Sequence, residues 1–129
     1  MKMVIFDLDD TLVKYVCGKF FVPKQTYHVL RLLKRNDFKI TIVSYNPYAK
    51  IIASLCNLYQ YTDRVICKGR YREELVFQLI LDSNDSFFYF DDRNDNFEAI
   101  QKNFPNAVCL HVVDCFVLCK LVKQHIFLK

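Results

Sequence analysis

Short apolar runs alternate with stretches of helical spacing along this chain, and that alternation restricts it to an α/β fold. Val4–Asp7, Phe38–Ser44, Arg64–Cys67, Phe87–Phe90 and Ala107–Val112 read as strands, several of them rich in β-branched or aromatic residues. Lys24–Asn36 reads as a helix, with Tyr27, Leu30 and Leu33 at three-residue spacing behind Pro23. Pro47–Leu58 is a second helix opened by proline. Tyr71–Leu81 is a third, with Leu75, Leu79 and Ile80 expected to face inward, and Asn94–Phe104 is a fourth, closed by Pro105. Asp114 is positioned to cap a last helix running to about His125, with Phe116, Cys119, Val122 and Ile126 expected on one face. Between the first strand and the first helix, Leu12–Val22 reads as an irregular, aromatic-rich excursion. Apolar strands separated by helices imply a parallel sheet covered on both faces: a Rossmann-like three-layer sandwich of about five strands.

The length, 129 residues, suits one domain spanning 1–129. At 53% hydrophobic and 25% charged residues the chain is globular, and with only 2 Gly and 3 Pro it has little material for flexible linkers. The net charge of +4 favours an anionic ligand without announcing nucleic acid, which calls for a clustered basic face. No basic-then-apolar leader opens the chain, and Ala107–Val122 is broken by His111, Asp114 and Lys120, so no membrane partner is expected. The six cysteines form no CxxC pair and sit mostly in apolar stretches. They read as buried free thiols of a reducing, intracellular compartment.

In a doubly covered parallel sheet, ligands sit beyond the carboxyl ends of the strands. Asp7, Ser44, Lys68 and Asp91-Asp92 all fall there. In Asp7-Leu8-Asp9-Asp10-Thr11, residues two apart on an extended chain point the same way, so Asp7 and Asp9 can reach one site. A carboxylate such as Asp7 can attack phosphorus, and Asp9 can shuttle the proton to the leaving oxygen and from the hydrolytic water. A dianionic phosphate and a carboxylate repel each other, so magnesium is needed between them. Asp92 would complete its shell, with Asp91 and Asn96 orienting it. The Ser44 hydroxyl would bind a phosphate oxygen, and Lys68 would offset the phosphoryl charge, with Arg70 or Arg72 as alternatives for that role. Thr11, Asn46 and Arg70 are read as substrate contacts. The histidines His28, His111 and His125 lack companion ligand types, and the basic residues Arg31, Lys34 and Arg35 read as a solvated helix face.

Taken in order, these pieces resemble the four motifs of the haloacid dehalogenase (HAD) superfamily of phosphohydrolases. Motif I is Asp7-Leu8-Asp9-Asp10-Thr11, motif II Ser44, motif III Lys68, and motif IV Asp91-Asp92 with Asn96 four residues on. The run Phe88-Tyr89-Phe90-Asp91-Asp92-Arg93-Asn94-Asp95-Asn96 looks most like the small magnesium-dependent phosphatases of that group. The resemblance implies Asp7 as nucleophile, Asp9 as acid/base, an aspartyl-phosphate intermediate, and Mg²⁺ held by Asp7, Asp92 and the backbone carbonyl of Asp9. The chain departs from the pattern where Gly69-Arg70 follows Lys68 in place of proline, and where Asp10 occupies a turn position that relatives fill with other residues.

Many HAD enzymes insert a cap domain, but the 32 residues Leu12–Val43 and the 23 residues between Ser44 and Lys68 are nearly consumed by core elements. A capless, open site excludes water poorly and suits a bulky phosphorylated substrate: a phosphoprotein first, or a polynucleotide 3′ or 5′ end. A catalytically silent HAD-like binding module is the non-enzymatic alternative. Oligomeric state, monomer or homodimer, is left open by the sequence.

Overall fold

The structure, a computed structural model, describes residues 2–127. Its strands are β1 (Met3–Phe6), β2 (Lys14–Val16), β3 (Lys19–Phe21), β4 (Lys39–Ser44), β5 (Arg64–Cys67), β6 (Phe87–Asp91) and β7 (Ala107–His111). Its helices are α1 (Lys24–Arg35), α2 (Ala49–Leu55), α3 (Glu73–Ile80), α4 (Phe97–Asn103) and α5 (Leu118–Val122). Five strands make one parallel sheet in the order β5-β4-β1-β6-β7. The expected α/β sandwich of about five parallel strands is borne out.

Strand parity sorts the core into two halves. Val4 and Phe6 of β1, Ile40 and Ile42 of β4, and Phe90 of β6 pack with α1, α2 and α5 through Val29, Leu30, Leu33, Ile52, Leu118 and Val122. Met3, Ile5, Phe87 and Tyr89 face the other way, onto Val76 and Phe77 of α3 and Ile100 of α4. On that second side the rings of Phe77, Phe87, Tyr89 and Phe104 meet edge-to-face at 5.1–6.3 Å. Each such pair adds about 0.5–1.5 kcal/mol beyond the area it buries.

With two glycines in the whole chain, helix ends fall to Asp and Asn. Asp37 and Asn57 adopt left-handed φ of 64° and 56°. The following amides reach back, from Phe38 to the Leu33 carbonyl and from Leu58 to that of Ala53. This stops α2 at Leu55, short of the expected Leu58.

Further expectations are corrected. The Leu12–Val22 excursion is an ordered antiparallel hairpin, β2 against β3, turned by Cys17 and Gly18 at φ 51° and 79°. A Cys-Gly pair supplies the two positive φ values of a tight hairpin turn without its usual Asn-Gly signature. On α3 the buried residues are Glu73, Glu74, Val76 and Phe77, while Leu75 and Leu79 point to solvent. Ion pairs at the site end draw the glutamates inward and rotate the helix away from its leucine stripe. After β7, Asp114 does cap its turn, accepting from the Phe116 amide at 2.8 Å. That turn is a 3₁₀ segment, Cys115–Val117, which shifts the phase of α5. Cys115, Leu118 and Val122 go inward and Phe116 faces out. The cysteines are unpaired as expected, but Cys17 and Cys67 are exposed rather than buried. Among the described residues no helix is long and apolar enough to cross a membrane.

Candidate active site

Sheet order reverses at β1: β4 and β5 lie on one side of it, β6 and β7 on the other. Such a switch point opens a crevice at the carboxyl ends of β1 and β6. The Asp7 amide donates to the Phe90 carbonyl at 2.9 Å, which carries the pairing of the two strands past their last apolar residues. Ile5 pairs with Tyr89, so Asp7 and Asp91, each two residues further, come level and share a face. Carboxylate oxygens of Asp7, Asp91 and Asp92 lie within 4.8 Å of one another.

Sequence reading gives Asp91 an orienting role, whereas the structure puts its carboxylate inside the cluster. Both of its oxygens are engaged: the Tyr89 hydroxyl donates a short hydrogen bond to Oδ2, and the Arg93 amide donates to Oδ1 at 3.0 Å. The signal for this placement was strand parity, which depends on the β1–β6 register.

Electrostatically the cluster is unbalanced. Burial, then the charges of Asp91 and Asp92 and a carboxyl contact with Asp92, push Asp7 up to about 10, against one lowering contribution from the Leu8 amide. Asp91 is raised as well, chiefly by burial, despite the Tyr89 and Arg93 hydrogen bonds. Tyr89 is pushed up by burial and by Asp91. A group of hard oxygen donors that holds protons for want of positive charge is the donor set a divalent cation such as Mg²⁺ fits.

Asp9 lies to one side of this cluster, half-buried. Its Oδ2 accepts from Asn46 Nδ2 at 3.2 Å, and the Asp10 amide closes the turn onto the Val13 carbonyl at 2.7 Å. Asp10 is the exposed turn residue, at φ 64°. Ser44 is fully buried and its Oγ accepts from the Asn46 amide at 3.1 Å, while Asn46 Oδ1 accepts from the Tyr48 amide at 2.9 Å. Asn46 therefore ties the end of β4 to Asp9. Thr11 is fully buried, and its hydroxyl has no hydrogen-bond partner among the described residues. Arg70 is exposed.

Lys68 is nearly buried. Its amide donates to the Ser44 carbonyl at 2.7 Å, and its Nζ donates to the Tyr71 carbonyl at 3.0 Å and pairs with Glu73 at 3.4 Å. Arg72 pairs with Glu74 at 3.1 Å and donates to Asn96 Oδ1 at 3.2 Å. Asn96 corrects an expectation: instead of orienting the aspartate pair, its amide nitrogen donates to Glu73 at 2.7 Å and to Glu74 at 2.5 Å. Glu73 and Glu74 are the residues that sequence reading missed. As two acids opening a helix they pass for ordinary dipole partners. His111, at the end of β7, donates from Nε2 to the Asp92 carbonyl at 2.8 Å and so braces the motif IV backbone. Across the mouth, the Arg93 guanidinium lies 5.7 Å from the centre of the Tyr45 ring.

Neither a family model nor a curated protein matches the chain. Solved structures do. A chain of the Pnkp1/Rnl/Hen1 complex superposes with a TM-score of 0.62 at 21% identity, over 86% of this chain and 45% of its own. A second structure of that assembly, an RNA repair complex, gives 0.62 at 22%, over 86% and 42%. A HAD-superfamily hydrolase from Ehrlichia chaffeensis gives 0.59 at 16%, over 86% and 62%. The D,D-heptose 1.7-bisphosphate phosphatase from B. bronchiseptica, complexed with magnesium and phosphate, gives 0.56 at 9%, over 96% and 99%. The chain spans less than half of the Pnkp1-complex chains and about three fifths of the Ehrlichia hydrolase. With its five-stranded parallel sheet and only a hairpin between β1 and α1, the chain has the HAD fold without an inserted cap.

Proposed function

We propose that this chain is a magnesium-dependent phosphomonoesterase in which Asp7 is the nucleophile. The observation that carries the reading is the convergence of Asp7, Asp91 and Asp92 within 4.8 Å at the switch point of the sheet. A bound Mg²⁺ would neutralise charge on the phosphoryl group and displace the protons that the cluster otherwise retains. Asp7 and Asp92 would hold it with the Asp9 carbonyl, and Asp91, fixed by Tyr89 and the Arg93 amide, would set the negative field around it.

Asp7 Oδ attacks phosphorus, the bond from phosphorus to the ester oxygen breaks, and Asp9 delivers a proton to the departing oxygen. Water then attacks the aspartyl-phosphate, Asp9 takes its proton, and the bond from phosphorus to Asp7 breaks to release orthophosphate. Asn46 holds Asp9 in place through its 3.2 Å hydrogen bond. Lys68, restrained by Glu73, supplies positive charge at the phosphoryl oxygens.

The absence of a cap favours a macromolecular phosphomonoester, either a phosphoprotein or a polynucleotide end. Likeness to a chain of an RNA repair complex favours the second. Turnover of an aryl phosphate with added Mg²⁺ tests the chemistry. Asp7→Asn is expected to lower it by at least about 10³-fold, and turnover retained in that variant removes Asp7 as nucleophile. No turnover with any phosphomonoester would leave the fold as a binding module.

A further inference from the structure

The β2–β3 hairpin follows directly from the Asp7–Val13 segment, so it stands at the catalytic rim. Its residues are unusually apolar for an exposed hairpin: Tyr15, Phe20 and Phe21 are 62%, 37% and 48% exposed, and Phe116 beside them is 56% exposed. The register Lys14↔Phe21 and Val16↔Lys19 places these four side chains on one face of the hairpin. That face meets the turn before α5: Phe21 and Phe116 rings lie 5.8 Å apart, and Lys14 Nζ sits 5.8 Å from the Phe116 ring centre. The Tyr15 and Phe20 rings meet at a 59° tilt, 5.0 Å apart, on the opposite face.

Two hollows share Phe116. One, of about 610 Å³, is lined by Gln25, Phe116, Cys119, Lys120, Lys123 and Gln124. The other, of about 430 Å³, is lined by Val16, Lys19, Phe20, Phe21 and Phe116. Both fall in the size range of ligand sites. No acidic side chain lines either one among the described residues, whereas Lys19, Lys120 and Lys123 do.

We propose that the hairpin and the Phe116 turn form a platform for an unpaired polynucleotide strand, which delivers a phosphorylated terminus to Asp7. Exposed rings supply faces on which bases stack, and lysines spaced among them neutralise backbone phosphates. The Gln25 and Gln124 amides offer donors and acceptors to base edges. An apolar peptide would leave these lysines unpaired, whereas backbone phosphates pair with them while bases cover the rings. The platform itself stands apart from the hydrolase reading; only the delivery step rests on it.

Fluorescence anisotropy of the full chain with a labelled, unphosphorylated oligouridylate tests the platform without any need for turnover. Binding is expected to be salt-dependent and to prefer the single strand over a duplex of the same sequence. The exposed-ring variant Phe21→Ala/Phe116→Ala is expected to bind about tenfold more weakly or worse. Lys120→Gln/Lys123→Gln is expected to flatten the plot of log affinity against log salt by about 0.7 for each phosphate no longer neutralised. Circular dichroism confirms that each variant is folded. Equal binding by wild type and ring variant, equal affinity for duplex, or binding of phosphatidylserine vesicles or apolar peptides in place of the oligonucleotide overturns the proposal. Oligonucleotide binding without aryl phosphate turnover leaves the platform standing and removes the hydrolase reading.

Discussion

The two faces of the sheet are built from different materials. On the α1/α2/α5 side the core is mostly aliphatic, with Leu30, Leu33, Ile40, Ile42 and Val122 among its fully buried members. The ion pair of Lys34 with Asp63 on this side lies at the surface. On the α3/α4 side an aromatic core of Phe77, Phe87, Tyr89 and Phe104 runs upward into polar groups. Tyr89 touches Asp91 there, and Glu73, Glu74, Asn96 and Lys68 close over the end of the sheet. One face supplies bulk stability. The other converts packing into the position of charges, so a loss of packing there should be felt in the chemistry.

The largest expected effect comes from charge on the second face. Unfolded Asp7 loses its proton near 3.8, whereas folded, metal-free Asp7 keeps it up to about 10. Folding therefore binds a proton across that window. The raised carboxyl's contribution is complete below about pH 4 and is lost as pH rises toward 10. Thermal unfolding of metal-free protein should show a melting temperature that falls with pH over this range. Mg²⁺ should raise the melting temperature more at pH 8 than at pH 5. A flat pH profile that magnesium does not move breaks the contrast between the faces.

Core truncations come next. Leu30→Ala and Phe77→Ala should each cost about 3–5 kcal/mol in denaturant unfolding, since both side chains are fully buried. Leu30→Ala should leave kcat per folded molecule unchanged. Phe77→Ala should lower it, because Phe77 supports the Tyr89 ring edge-to-face at 5.1 Å, and Tyr89 holds Asp91. Equal kcat in the two variants would show that the aromatic side does not position the site.

Glu73→Gln tests the polar end of the same face. It leaves Lys68 nearly buried without its anion, which costs about 3 kcal/mol. It should also shift kcat more than KM if Glu73 positions Lys68 for the phosphoryl group. The smallest effect is expected on the opposite face. Lys34→Ala removes a pair whose side chains are 37% and 39% exposed, and should change stability by less than about 1 kcal/mol.

Legibility followed the range of the interaction. Strands, their order of chemistry and the two acidic motifs could be read because each is a local pattern: an apolar run followed by its polar end. The face of α3 could not. Leu75 and Leu79 satisfy helical spacing as well as Val76 and Phe77 do. The choice between them was made by partners just past β5 and in the β6–α4 loop: Lys68 for Glu73 and Asn96 for both glutamates. Phe116 was misplaced for a similar reason, since a 3₁₀ turn capped by Asp114 changed the phase of the helix that follows. Asn46 reads as a substrate contact in the sequence, but its hold on Asp9 links the ends of two strands and leaves no trace in spacing.

The sequence alone determined that this chain would be a parallel α/β sheet with carboxylates at the ends of its first and fourth core strands. Alternating hydrophobicity and strand periodicity are properties of neighbouring residues and survive without knowledge of the fold. Tertiary structure decided which carboxylates meet. The Ile5–Tyr89 register brings Asp91 level with Asp7, and the crossing of the chain from one side of β1 to the other places both at the switch point. Register and strand order are set by contacts between residues far apart in the chain, and these cannot be read from any single stretch of it.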